Sequence, residues 1–269
     1  MTIKQSAIAI ERQRDDKMHC IAHKPNAYPS VAMKKITITD DGRFATSLPY
    51  ICSQCNGAMK GGSVTITCKD GMDTVLDALC DVVAIDCKAH YLNERIKLPI
   101  ECEFSRHAFI RALCEFDFET DRVLVRSLLN LTPQFLLGSF YDFCLDNLKI
   151  RWDEVVGLAN ENIALLLVGT NFTELLRYLI QNIEVRQDTV ILSPKGVLDR
   201  NMQPIGGLYV NHSLPPEITA IETIVSCGPR KIFFMGECGP LGKFIHDLYG
   251  DTVVSENSMG GAEIISMSL

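Results

Sequence analysis

Residues 139–184, SFYDFCLDNLKIRWDEVVGLANENIALLLVGTNFTELLRYLIQNIE, constrain the fold more than any other stretch. Apolar residues recur at Phe140, Phe143, Cys144, Leu148, Trp152, Val155, Val156, Ala159, Ile163 and Leu166. That spacing of three and four marks one buried helix face, and it predicts a helix of about 28 residues. Gly169 suits its end. Asn171, with Glu174 three positions on, reads as an N-cap and its capping partner for a second helix reaching Ile183. The expectation is a helical hairpin at the centre of the chain.

The hairpin needs a core to sit against, and a chain of 269 residues with 47% apolar content can supply one. A net charge of −7 argues against non-specific binding to nucleic acid or an anionic membrane, since both require clustered Lys and Arg. The densest basic groups are Arg12, Arg14 and Lys17, interrupted by Asp15 and Asp16, and the pair Lys34 and Lys35. Neither makes a binding stripe. The apolar run 163–168 is far short of the ~20 residues that cross a bilayer, and the first residues lack a signal-peptide core. A cytoplasmic protein is expected. Its 11 cysteines are odd in number and widely spread, which fits small buried hydrophobes better than a disulfide framework.

Taken in order, residues 35–44 (KITITDDGRF) alternate like a strand and meet Asp41-Gly42, a dipeptide suited to a hairpin turn. Residues 63–68 (SVTITC) alternate in the same way, so a small antiparallel sheet is expected at the N-terminal end. Asp73 can cap a helix whose face carries Val75, Leu76, Leu79, Val82, Val83, Cys87, Tyr91 and Ile96, broken at Leu98-Pro99. Ser105 can cap another over 106–118, and a further helix is expected over 121–130, before Pro133. After the hairpin come three β-branched or aromatic runs, 189–192, 231–235 and 252–255, separated by helices over 217–226 and 239–249. The fold class is therefore α+β: an antiparallel N-terminal sheet over 1–72, a helical region over 73–186, and a C-terminal βαβαβ segment over 187–269 with a mainly parallel sheet.

Cys52-x-x-Cys55, followed by Cys68, is the most suggestive chemical spacing, because two thiolates on one turn can hold zinc. A second pair is missing, and His19, Cys20 or His23 would have to complete the tetrahedron. The expectation is a pair without metal and without a disulfide. Residues 236–242 (GECGPLG) follow a strand and precede a helix, as phosphate-cradling turns do, but they are neither G-x-G-x-x-G nor a Walker A loop. Pro240 removes one amide donor and Glu237 would repel phosphate. Asp142, Asp146, Asp153 and Glu154 read as a solvated acidic face. No catalytic triad, nucleophile elbow or zinc-protease motif appears, so no catalytic, cofactor-binding or metal-binding residue is assigned.

Phe140, Phe143 and Leu145 occupy the aromatic and aliphatic places of a Phe-x-x-Phe-Arg-Leu-Lys segment, and residues 175–180 (LLRYLI) match a following Leu-Leu-Arg-Tyr-Phe-Val stretch. Over 139–183 the chain thereby resembles the YtxC-like family of sporulation proteins of endospore-forming Firmicutes, with a looser likeness over 75–255. Cys144 and Asp146 stand where that family tends to be basic. The resemblance implies a role in endospore formation and no catalytic residues, cofactor or defined ligand. A protein that works through a protein partner or as a homo-oligomer, without nucleic acid or membrane, is the expectation that follows. The alternative is an enzyme or nucleotide-binding protein built on the C-terminal α/β segment, with its ligand at the strand ends.

Overall fold

The computed structural model describes residues 35–68, 72–97, 102–166, 172–206, 208–250 and 253–254. Strand β1 (Lys35–Thr39) pairs antiparallel with β3 (Ser63–Thr67), which pairs in turn with β2 (Ala58–Lys60). The alternation works as the sequence suggests. Ile36 lies opposite Ile66 and Ile38 opposite Val64, and all four side chains are buried on one face. Asp41-Gly42 does not make the expected hairpin. Asp40 Oδ2 accepts the amide N–H of Gly42 at 2.7 Å and of Phe44 at 2.8 Å, a local turn that competes with strand pairing. The chain goes instead into a 3-10 turn (Ala45–Ser47) and helix α1 (Leu48–Gln54), which buries Leu48 and Ile51.

Helix α2 (Asp73–Val82), a π-helical turn (Val83–Cys87) and α3 (Lys88–Arg95) form one continuous rod. Asp73 is its first residue rather than its cap, and pairs with Arg126 at 2.6 Å. Next come α4 (Glu103–Glu115), capped at Cys102 rather than Ser105, and α5 (Phe118–Leu128). A strand that the pattern did not reveal follows Pro133: β4 (Gln134–Leu136) lies parallel to β1 and gives the first sheet the order β2-β3-β1-β4.

The long central helix is split. Helix α6 (Leu137–Cys144) stops at Leu145, which is fully buried, and α7 (Asp146–Leu166) starts again beyond it. Helix α8 (Phe172–Gln181) follows, while Gly169 and Asn171 lie outside the described residues. Phe140, Leu148, Trp152, Val156, Ala159, Ile163 and Leu176 are buried as expected, but Val155 is only half-buried, and Phe143 and Cys144, expected on the same face, are exposed because the break at Leu145 turns the end of α6 away from the face that α7 buries. The two helices nevertheless find their main partners elsewhere, α7 on α3 and α5, and α8 on α4. The hub of the molecule is α4, whose residues from Ala108 to Glu115 are buried without interruption.

The C-terminal segment follows the expected order. Strands β5 (Thr189–Ser193), β7 (Lys231–Phe234) and β8 (Val253–Val254) are parallel, connected through α9 (Pro216–Cys227) and α10 (Gly239–Tyr249). Strand β6 (Gly196–Asp199) adds an antiparallel edge to β5, so the order is β6-β5-β7-β8. Helix α9 ends at Gly228, which has φ +54° and leaves no room for a side chain, since a Cβ there would stand 2.6 Å from the carbonyl oxygen of Glu184. One apolar cluster runs through the whole fold, from Ile36 and Ile38 through Phe109 and Trp152 to Ile232 and Ile245.

Candidate functional site

Cys52 lies in α1 and Cys55 at its C-terminal end. Cys52 Sγ is 3.2 Å from the carbonyl of Gly57, and Cys55 Sγ is 3.7 Å from that of Thr74. Cys68 Sγ meets the sulfur of Met72 at 3.8 Å. Burial, with the neighbouring Cys68 and Cys52, pushes the Cys55 thiol up to about 11, so without a metal it is protonated at neutral pH and is no activated nucleophile. Among the described residues no group of three or more His, Cys, Asp or Glu is arranged to hold a metal ion. His19, Cys20 and His23 lie outside the described residues. Protein purified without chelator is expected to carry no stoichiometric zinc; one equivalent, lost together with thermal stability in C52S/C55S, would overturn this.

In the 236–242 turn, the backbone N–H of Met235 bonds the carbonyl of Leu192 at 2.9 Å and Gly236 packs near Pro194 of the neighbouring turn. Ser193 Oγ donates to the carbonyl of Gly196 at 3.0 Å and accepts from the N–H of Lys195 at 3.2 Å. These polar groups at the strand ends serve the turns themselves. On the acidic face, Asp142 is bound by Arg43 through two contacts of 2.7 Å, and Asp153 accepts from Tyr91 Oη at 2.6 Å. Arg43 also grips Asp41, and holds both carboxyls below the usual carboxylate range.

The unusual chemistry lies where the sequence raised no flag, in a buried polar seam between α4, α9 and the loop before α9. Residues His107, Arg111 and Glu115 are spaced by four on α4, and Glu222 and Ser226 by four on α9, so each set shares a helix face. His107 Nδ1 lies 3.0 Å from Glu222 Oε1. Arg111 Nε donates to Glu115 Oε1 at 3.0 Å and to Ser226 Oγ at 2.6 Å, and its Nη2 donates to the Tyr209 carbonyl at 2.6 Å. Glu115 is gripped from the other side by Arg186 at 2.7 Å. Arg111 Nη1 is buried without a hydrogen-bond partner.

Tyr209 carries the seam onward. Its hydroxyl donates to Asp86 Oδ2, as does that of Ser47 in the 3-10 turn. Tyr50 of α1 packs edge-on against the Tyr209 ring at 4.4 Å and donates to Asp81 at 2.7 Å. Asp86 stands in the π turn, a helix form that recurs at functional sites. Burial is the main force on it. With help from the Glu222 charge and against the two hydroxyl donors and Arg111, burial pushes the Asp86 carboxyl up to about 6. A carboxyl in that range can gain and lose a proton near neutral pH. The one available signal was a lone acid in the apolar run VVAIDC.

At the opposite extreme of burial, Phe143 is 79% exposed, with Ile150 at 61% and Leu136 at 54%. They follow one another at intervals of seven through β4, α6 and α7. Comparison of the chain with protein families, with curated proteins and with solved structures returns no match. No helix among the described residues is long and apolar enough to cross a membrane.

Proposed function

We propose that this is a sporulation-associated cytosolic protein of the YtxC-like type, which works by contact with a protein partner rather than by catalysis. Phe143 carries the reading. Of the residues in the family-like segments, Phe140, Leu145, Leu175, Leu176 and Ile180 are buried, and packing accounts for them. Arg177 donates through Nε to the carbonyl of Leu248 at 3.1 Å and through Nη2 to that of Asp247, so it ties down the end of α10. Phe143, 79% exposed, contributes an aromatic ring that the fold does not use. A large apolar side chain left in water costs solubility, and a partner surface gives it a use.

Two measurements test the proposal. Deleting the gene in its host and counting heat-resistant spores is expected to show a sporulation defect; normal sporulation would remove the context. Replacing Phe143 and Ile150 with serine is expected to change stability by no more than about 0.5 kcal/mol, because neither residue supports the core. The same variant should fail to restore sporulation in the deletion strain, and full restoration would show that this face is not the contact.

A further inference from the structure

We infer that the outer face of α7, with Phe143 at its head, docks a basic amphipathic helix, an assignment that rests on the proposal that Phe143 meets a protein partner. The helix separates two stripes. Leu148, Trp152, Val156, Ala159 and Ile163 follow one another by four, four, three and four, and all are buried. Asp146, Ile150, Glu154, Gly157 and Glu161 repeat the same steps two residues earlier, which sets them about 200° around the axis, and all are exposed. Packing within the fold accounts for the first stripe and leaves the second without a use.

Phe143 continues the second stripe across the break at Leu145. Lys149 Nζ reaches back to the carbonyl of Asp142 at 3.3 Å and lies 4.5 Å from the centre of the Tyr141 ring, which ties the first turn of α7 to the last turn of α6 beside Phe143. The face therefore carries two large apolar side chains, Phe143 and Ile150, among the carboxylates Asp146, Glu154 and Glu161, and its stripe holds no lysine or arginine. The bases at its flanks are engaged elsewhere, Lys149 as described and Arg151 toward Asp117 at 4.0 Å. Charge selects the occupant. An acidic rim repels nucleic acid and anionic membranes, and a second copy docked through the same face would set these acids against themselves. A basic segment is attracted, and its apolar residues cover Phe143 and Ile150.

Gly157 gives the occupant its form. Glycine weakens the interior of a helix, and among the described residues nothing calls for it here, since a Cβ at 157 would meet nothing within 4 Å. Its use is outside the chain: lacking a side chain, it lets a partner backbone come close to α7. Ile150 and Gly157 are spaced by seven, about two turns, which is the repeat along which one helix packs on another. The occupant that fits is an amphipathic helix with Lys or Arg beside its apolar stripe.

The probe is a basic amphipathic peptide of about 18 residues, with leucines at three and four spacing and Lys or Arg on their flanks. Its control is the same peptide with every base replaced by Glu. Titrated into the isotopically labelled full chain, the basic peptide is expected to shift the amide resonances of residues 143–161, and the acidic peptide to shift none. At low salt D146N/E161Q is expected to weaken binding of the basic peptide about fivefold, and F143S/I150S more than about tenfold. Gly157→Gln suits a helix and clashes with nothing in the chain, so it should keep or raise the melting temperature while weakening binding about fivefold. Equal binding of the two peptides, undiminished binding in D146N/E161Q, or shifts elsewhere on the molecule would overturn the assignment. So would a dimer of the protein that dissociates in F143S/I150S, because the face would then be covered by a second copy. The deletion strain separates the two readings. If F143S/I150S fails to restore sporulation and D146N/E161Q restores it fully, the contact stands and the basic partner falls. If both variants fail, both readings are supported, and if F143S/I150S restores sporulation the contact falls and this assignment with it.

Discussion

Replacing Asp121 with alanine is expected to destabilise the fold by about 3–5 kcal/mol, a large loss for a single polar side chain. Lys88 Nζ sits 2.7 Å from Asp121 Oδ2, with both side chains only 1% exposed. Trp152 Nε1 donates to the same oxygen at 3.2 Å, and Lys88 reaches the carbonyl of Cys114 at 3.4 Å. Taking away the carboxylate leaves an ammonium and an indole N–H buried with little to bind. At roughly 2–4 °C per kcal/mol for a chain of this size, the melting temperature should fall by about 6–20 °C. A double variant, K88M/D121L, should regain most of the loss, because an apolar pair of similar volume incurs no desolvation cost. Denaturant titration of the three proteins checks both statements, and a D121A penalty under about 1 kcal/mol would show that the pair is not buried in solution.

The second large effect is expected at Glu115, whose carboxylate lies between Arg111 and Arg186 and accepts from Ser226 Oγ at 2.6 Å. Glu115→Leu should cost about 3–5 kcal/mol, since it strands the guanidinium of Arg111 in the interior beside one already unpartnered nitrogen. Glu115→Gln keeps an acceptor and the shape, so a smaller loss is expected. The Arg186→Ala change is milder still, because Arg186 is 23% exposed and water can replace part of its contact. Equal penalties for the leucine and glutamine variants would mean that shape, and not charge, governs this site.

The elements that were legible in the sequence are those with a clean period. Ile36 and Ile38 against Val64 and Ile66, and the C-terminal alternation of strand and helix, are recovered because one face of each is buried. Where both faces are buried the period disappears. Helix α4 is enclosed from Ala108 to Glu115, yet Arg111 and Glu115 interrupt its apolar run, so nothing in the pattern set it apart as the centre of the fold. Strand β4 is three residues long, too short for any period to show.

The π turn did leave a trace. Leu79, Val83, Cys87 and Tyr91 advance in steps of four, and each such step over-rotates an α-helix by about 40°. The wider turn over 83–87 absorbs that drift and keeps all four buried, which also sets Asp86 against Ser47 and Tyr209. The polar seam itself was not legible, because His107–Glu222, Arg111–Ser226 and Asp86–Tyr209 join residues far apart in the chain.

The parallel pairing of β1 with β4 has a consequence for how the chain comes off the ribosome. Thr37 cannot meet Gln134 until α1 to α5 have all been made. Through that interval β1 can pair with β3 on one side only, and its other edge presents the free N–H and C=O groups of KITIT. An unpaired edge of β-branched residues is an invitation to a neighbouring nascent chain. The three residues of β4 are thus the late closure that turns a sticky border into an interior, and conditions that delay synthesis between 67 and 134 are the ones under which this protein is most exposed to misassembly.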